Sequence, residues 1–442
     1  MSSRRAFLQT LGAGTAALAA LGCAGSSGAA PATGGSGGPG GPPPSQAPSA
    51  PILVVVQLAG GNDLLDSLVP TGGPNAGVYA SARPTLRQGP AQLADLGQGL
   101  ALPNSFLGMA DLYRQGRLAL VPGVGMPNPT LSHFLAEDLW HQGAAAPAGT
   151  GWLGRWADAT FLAGGDPLRG ITTDGVNLSM EGAGRAFVGI SSPDGYGFPA
   201  ARNDWGSVED PAPLRGAFSD GFALSGSPAA SGLRAALAAG QLYDQAQRSF
   251  GTLMGSTRRT PAVPYPGATN YPDPELRDNW FWLSVQLQFV AEMIAKGIPG
   301  QVYHVVQGGF DTHSNHARDH AALLKELGGS LTAFYQDLAT ITTPQGPAQE
   351  RVLVMAWSEF GRRVRENNGG TDHGTAGLAF CLGKGVKGGV HSDYPDLSRL
   401  DDDGNMKHTV DFRSLYATVL ERWLGARSAS ILGATYPFLG FL

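Results

Sequence analysis

The sequence predicts an α/β domain on a parallel sheet, and three runs of residues predict it. Residues 52–58 (ILVVVQL), 302–306 (VYHVV) and 351–357 (RVLVMAW) are short apolar stretches rich in β-branched residues. That is the pattern of strands buried on both faces. Each run delivers a carboxylate just past its end. Gly60, Gly61, Asn62 and Asp63 follow the first, Gly308, Gly309, Phe310 and Asp311 the second, and Ser358 and Glu359 the third. Helical patterns lie between them, over residues 279–296 and over 320–341, where Leu323, Leu324, Leu327, Leu331 and Tyr335 recur at helical spacing. Strand, helix, strand alternation is what a parallel sheet requires. Ligands of such sheets collect beyond the carboxyl ends of the strands, so Asp63, Asp311 and Glu359 are expected to converge there.

Ahead of the first strand, Arg4 and Arg5 are followed by Phe7 and Leu8 and by an apolar run over 11–21 made mostly of Ala, Gly and Leu. This is the order of an export signal. The run falls short of the ~20 apolar residues of a bilayer-spanning helix, so it reads as an address. The paired arginines resemble the twin-arginine (Tat) signal. Cys23 stands where a lipoprotein signal places its lipid-bearing cysteine, although Leu21 is bulky for that context, and ordinary cleavage is the other reading. Residues 24–50 are nearly all Gly, Ser, Ala and Pro and cannot bury a core. The expected organisation is a signal over 1–23, a linker over 24–50 and a domain over 51–442. Within it, residues 164–274 form a Gly-, Pro- and Ser-rich excursion over the site. The expected location is extracytoplasmic, with the Tat machinery as a partner and the membrane as a second one through lipid on Cys23.

A formal charge of -5 and 15% charged residues disfavour nucleic-acid binding. Cys381 is the second of only two cysteines, so once Cys23 is cleaved or lipidated no intramolecular disulfide can form. The roughly 390 residues of the domain suffice for a core held by packing alone.

Three clusters can carry chemistry. In Gly309 to His313 (GFDTH), with His316 and His320 behind, a carboxylate and an imidazole two residues apart can face one cation. Capping of the following helix by Asp311 explains the same residues equally well. In Gly369 to Gly374 (GGTDHG), glycines flank Asp372 and His373 and allow close approach of the backbone to a ligand. The third cluster, Asn128 to Phe134 (NPTLSHF), places Ser132 at a helix start, as a nucleophile or as an N-cap.

In these blocks the sequence resembles the bacterial family called domain of unknown function 1501, within the alkaline phosphatase and sulfatase-like superfamily. The matching blocks include LVVVQLAGGNDLLDSLVP (53–70), ARPTL (82–86), LSHF (131–134), GWLGRW (151–156), GGFDTH (308–313), SEFGRRVREN (358–367), GGTDHG (369–374) and VDFRSLYATVL (410–420). The resemblance implies a three-layer α/β/α fold with a mostly parallel central sheet. It also implies two divalent metals at the strand ends and a Ser or Thr nucleophile acting on phosphate or sulfate esters. By position, Asp63 corresponds to the first-strand metal ligand, Asp311 and His313 to a second set, Asp372 and His373 to a further pair, and Ser132 to the nucleophile.

The chain departs from the superfamily pattern in three places. His313 is two residues after Asp311 rather than a full turn, and Leu64 and Asp66 stand where Gly and Asn are commoner. The strand over 351–357 ends in Ser358, Glu359 and Phe360 instead of an Asp-His pair. Either Glu359 replaces an aspartate ligand and Phe360 displaces a histidine, or Asp372 and His373 return to the site from the loop. The expected function is a metal-dependent hydrolase of phosphate or sulfate esters, or a degenerate relative, using zinc, manganese, magnesium or calcium. The alternative is a non-catalytic extracytoplasmic binding protein that retains the fold.

Overall fold

The computed structural model describes residues 50–161, 166–175, 177–183, 187–190, 245–266 and 283–442. Arg4, Arg5, Cys23, nearly all of the linker and most of the excursion over 164–274 lie outside the described residues. The chain divides into two compact units, of which the larger comprises Ser45–Tyr196 and Phe250–Leu442.

The central sheet of this larger unit has nine strands among the described residues: β1 (Ile52–Leu58), β2 (Leu118–Gly125), β3 (Gly170–Thr172), β4 (Val188–Gly189), β5 (Val302–Gln307), β6 (Val352–Trp357), β9 (Gly377–Leu382), β10 (Gly389–Val390) and β11 (Val410–Asp411). Between β6 and β9 the chain makes a separate antiparallel ribbon of β7 (Arg362–Asn367) and β8 (Gly370–His373). The order across the sheet is β10-β2-β9-β6-β1-β5-β3-β4, with β11 also beside β2. Only β9 runs antiparallel to its neighbours β6 and β2, so the sheet is mixed and mostly parallel. The three sequence-predicted strands are the adjacent trio β6-β1-β5, and Gln57 pairs with both Trp357 and Val306. They therefore end level, and the three carboxylate-bearing loops leave one edge side by side.

Helices cover both faces: α1 (Leu64–Ser67), α2 (Gly73–Ala82), α3 (His133–Gln142), α4 (Trp152–Thr160), α5 (Leu283–Ala295), α6 (His316–Leu338), α7 (Phe412–Arg422) and α8 (Ser428–Leu432). Because side chains alternate along a strand, Leu53, Val55, Leu353, Met355 and Trp357 share one face. They form a single core with Trp140 of α3, Trp152 of α4, Leu415 of α7 and Ile431 of α8. Trp140 stacks on Trp357 at 4.9 Å. On the other face, Gln307 donates to the Leu323 carbonyl and to Glu326 Oε2 of α6. Gln286 of α5 pairs with the N–H and C=O of Val306 and satisfies β5 beyond the end of its partner β3. Cys381 is buried in β9 as a free thiol. No helix among the described residues is long and apolar enough to cross a membrane.

Candidate metal centre

The loop after β1 is the wedge on which the site is built. Gly60 has φ +119°, and a Cβ there would lie 2.4 Å from Asp311 N; Gly61 has φ +82°, and its Cβ would lie 2.5 Å from the Phe360 ring. Both positions need glycine, for conformation and for space. Gly60 N donates to Glu359 Oε1 at 2.8 Å, which ties the loop after β1 to that after β6.

Arg362, at the start of β7, is completely buried and closes the construction. Its guanidinium donates to the carbonyls of Gly61 (2.8 Å), Thr371 (2.8 Å), Phe310 (2.8 Å) and Gly60, and to Asp311 Oδ1 at 2.8 Å. One fixed fork thus joins the loops after β1 and β5 to the β7–β8 ribbon. Burial alone raises the Asp311 carboxyl, but the Arg362 guanidinium, with the imidazoles beside it, outweighs burial and holds the group down to about 2. Asp311 is a carboxylate at any physiological pH.

Three imidazoles surround it. His313 Nε2 lies 2.9 Å and His373 Nε2 3.0 Å from Asp311 Oδ1, and the two nitrogens are 2.9 Å apart. His133 Nε2 lies 3.5 Å from Asp311 Oδ2. Ligand atoms of His133, Asp311 and His373 all fall within 4.8 Å of one another. Donor atoms around a four-coordinate zinc with bonds of about 2.0–2.1 Å stand roughly 3.3 Å apart, a spacing these residues could supply to a metal ion.

The far nitrogens of two histidines are anchored. His133 Nδ1 donates to Glu359 Oε1 at 2.7 Å, and His373 Nδ1 donates to the Leu131 carbonyl at 2.8 Å. Carboxylate and carbonyl oxygens only accept, so in the neutral rings Nδ1 carries the hydrogen and Nε2 presents a lone pair to Asp311. A hydrogen on His313 Nε2 can serve one of the acceptors near it. His133 Nε2, buried and without a hydrogen-bond partner, is served by none. Phe360 backs the rings of His133 and His373, with centroids at 4.8 and 4.7 Å. The open side is wet, since the Asp311 and His313 side chains are 47% and 46% exposed.

The sequence-predicted residues divide accordingly. Asp311, His313 and His373 come together, His373 returning from the loop on the β7–β8 ribbon. Glu359 and Asp372 stand one layer back. Glu359 holds His133 Nδ1, and Asp372 Oδ1 lies 3.6 Å from His313 Nδ1. Asp63, expected as a ligand, is fully buried and already saturated: it accepts from Leu65 N as the α1 cap and pairs bidentately with Arg83. A second group, Asp63, Asp66 and His316, gathers around that arginine. Ser132 is the N-cap residue of α3 by position, but its side chain makes no capping bond and is exposed beside His133.

Sequence reasoning missed His133, Arg83 and Arg362, although each lies inside a quoted motif. His133, Glu137 and His141 recur at one-turn intervals along α3, a signal of one face. Gln57 bridges the last two, donating to Glu137 Oε1 at 3.2 Å and accepting from His141 Nε2 at 2.9 Å. Burial keeps His141 down to about 4, and burial together with the charge of Glu359 pushes Glu137 up to about 7. The folded chain keeps the Glu137 proton to about pH 7, whereas the unfolded chain releases it above its ordinary 4.5. The unfolded state binds fewer protons in that window, so this residue makes stability fall as pH rises through it. A Glu137→Gln protein is expected to melt above the parent at pH 8 and with it below pH 4.5. A separation independent of pH would contradict the assignment.

A family model described as "Protein of unknown function (DUF1501)" matches residues 121–428, and the chain belongs to that family. The matched segment contains His133, Asp311, Glu359, Arg362 and His373 and leaves Asp63 and Arg83 outside. No curated protein matches the sequence. Among solved structures, the chain is similar to a protein in the alkaline phosphatase superfamily from Vibrio parahaemolyticus, at 9% identity over 88% of this chain and 68% of that one, with a TM-score of 0.33. It is similar also to BT1596, a 2-O GAG sulfatase, at 11% identity over 88% and 71% of the two chains, with a TM-score of 0.30. Likeness of that degree decides nothing about activity.

Proposed function

We propose that the chain is an exported metal-dependent hydrolase of phosphate or sulfate esters, with one divalent ion held by His133, Asp311, His373 and the adjacent His313. The observation that carries the metal is His133 Nε2, a buried nitrogen without a hydrogen-bond partner 3.5 Å from the Asp311 carboxylate, which in the neutral ring anchored by Glu359 bears a lone pair. A cation satisfies both. The nitrogen-rich donor set favours zinc or manganese over magnesium and calcium. When bound, such an ion polarises an ester oxygen and lowers the pKa of a hydroxyl or a water.

The residues around it have separate tasks. Glu359 and the Leu131 carbonyl orient the imidazoles, Arg362 orients Asp311, and Phe360 keeps water from the back of the rings. Ser132 is the proposed nucleophile, exposed at the α3 N-terminus where backbone N–H groups favour developing negative charge. The ester class rests on the sequence resemblance. The test is hydrolysis of nitrophenyl phosphate and sulfate with each of zinc, manganese, magnesium and calcium. Ser132→Ala is expected to lower turnover by at least ~10³-fold while keeping its metal. A parent that hydrolyses neither ester with any of the four cations leaves the binding-protein reading.

Export rests on Arg4 and Arg5, the paired charges before the apolar run. Replacing both with lysine is expected to leave the precursor in the cytoplasm. Unchanged export on cell fractionation would sink this part of the proposal.

A further inference from the structure

The second cluster of ligand-type side chains lies at the same sheet edge but inside the protein. Ligand atoms of Asp63, Asp66 and His316 are within 4.8 Å of one another, and all three residues are buried. By donor chemistry this group suits a divalent ion as well as the centre at Asp311 does.

Arg83 stands in that place. NH1 lies 2.6 Å from Asp63 Oδ2 and 3.0 Å from Asp66 Oδ2, and NH2 lies 3.2 Å from Asp63 Oδ1. NH2 also donates to the Arg363 carbonyl at 2.8 Å, and Nε to that of Val364 at 3.1 Å. Every N–H of the fork has an acceptor. An ion shared by the two carboxylates would sit about 2.0–2.2 Å from each oxygen. NH1 already touches both, so ion and guanidinium exclude each other by volume and by charge. The remaining bonds fit a filled position: Tyr79 donates to Asp66 Oδ1 at 2.8 Å, and His316 Nε2 donates to Asp66 Oδ2 at 2.9 Å. His316 Nδ1 in turn meets Thr312 Oγ1 at 2.6 Å, which pins the loop that carries Asp311 and His313.

The geometry points to Arg83 as a built-in cation that closes a latent second metal site formed by Asp63, Asp66 and His316. The loop bearing the first site is thereby held without a metal of its own. The latent site stands apart from the centre at Asp311; only the total of one ion per native chain rests on the function proposed above.

The test compares the parent with Arg83→Ala, Arg83→Lys and Arg83→Ala/His316→Ala, each titrated with zinc or manganese while bound metal and melting temperature are followed. Arg83→Ala is expected to melt roughly 4–6 °C below the parent without metal. Added metal should restore it and bind in one equivalent more than the parent takes. The double variant loses both the extra ion and the recovery, and Arg83→Lys takes no extra ion. The inference is overturned if Arg83→Ala binds no more metal than the parent, whether it stays folded or stays unfolded with metal present. It is overturned equally if the parent binds an ion that is lost with His316 and kept without His133. Failure of the Asp311 centre is distinguishable, because it gives a parent count of zero with the increment intact.

Discussion

Replacing His133 with alanine is expected to weaken metal binding by more than ~10²-fold, while Glu359→Gln, which keeps the ring and alters its anchor and the acceptor of Gly60 N, costs about 10–100-fold. The order follows from the geometry. His133 supplies the lone pair, and Glu359 fixes which nitrogen offers it, through a 2.7 Å hydrogen bond to Nδ1. Titration of the apoproteins with zinc, followed by calorimetry, separates the two. Equal affinities in parent and His133→Ala would remove this residue from the ligand set and leave the triangle of Asp311, His313 and His373.

The largest loss of stability is expected at Arg362. Its guanidinium serves the carbonyls of Gly60, Gly61, Phe310 and Thr371 and the Asp311 carboxylate, and none of its surface reaches solvent. Arg362→Met keeps much of the side-chain length but strands those acceptors, each unsatisfied buried group costing about 1–3 kcal/mol. With partial relaxation, a loss of about 3–5 kcal/mol in denaturant unfolding is expected, the scale of breaking a buried ion pair. Arg362→Lys recovers only part of it, since an ammonium cannot span acceptors on several loops. A change within about 0.5 kcal/mol for Arg362→Met would show that the loops after β1, β5 and β6 hold one another by packing alone.

The sheet was legible because its three central strands are buried on both faces and read as continuous apolar runs. Their level ends follow from a parallel register, and the convergence of Asp63, Asp311 and Glu359 on one edge follows from that. The antiparallel β9 was not legible, since GLAFCL carries the same burial pattern whichever way it runs. Within the site, sequence spacing identified acids and histidines but not their partners. Asp63 looks like a ligand until Arg83, twenty residues on, is folded against it. Glu359 looks like a ligand until His133 reaches it from more than two hundred residues away. His133 was passed over for its neighbour Ser132 because a hydroxyl at a helix start invites a cap or a nucleophile. The direction of the imidazole, toward Asp311, depends on a strand that begins at Val302.

If the lone pairs of His133 and His373 face Asp311 because a cation belongs between them, the native protein carries that cation. Metal analysis of the protein purified without chelator reads this out. One equivalent of zinc or manganese per chain is expected, lost in a His133→Ala/His373→Ala protein that remains folded. A parent free of metal, and taking up none when zinc or manganese is supplied, would contradict it, and the nitrogen of His133 would then be filled by a proton instead.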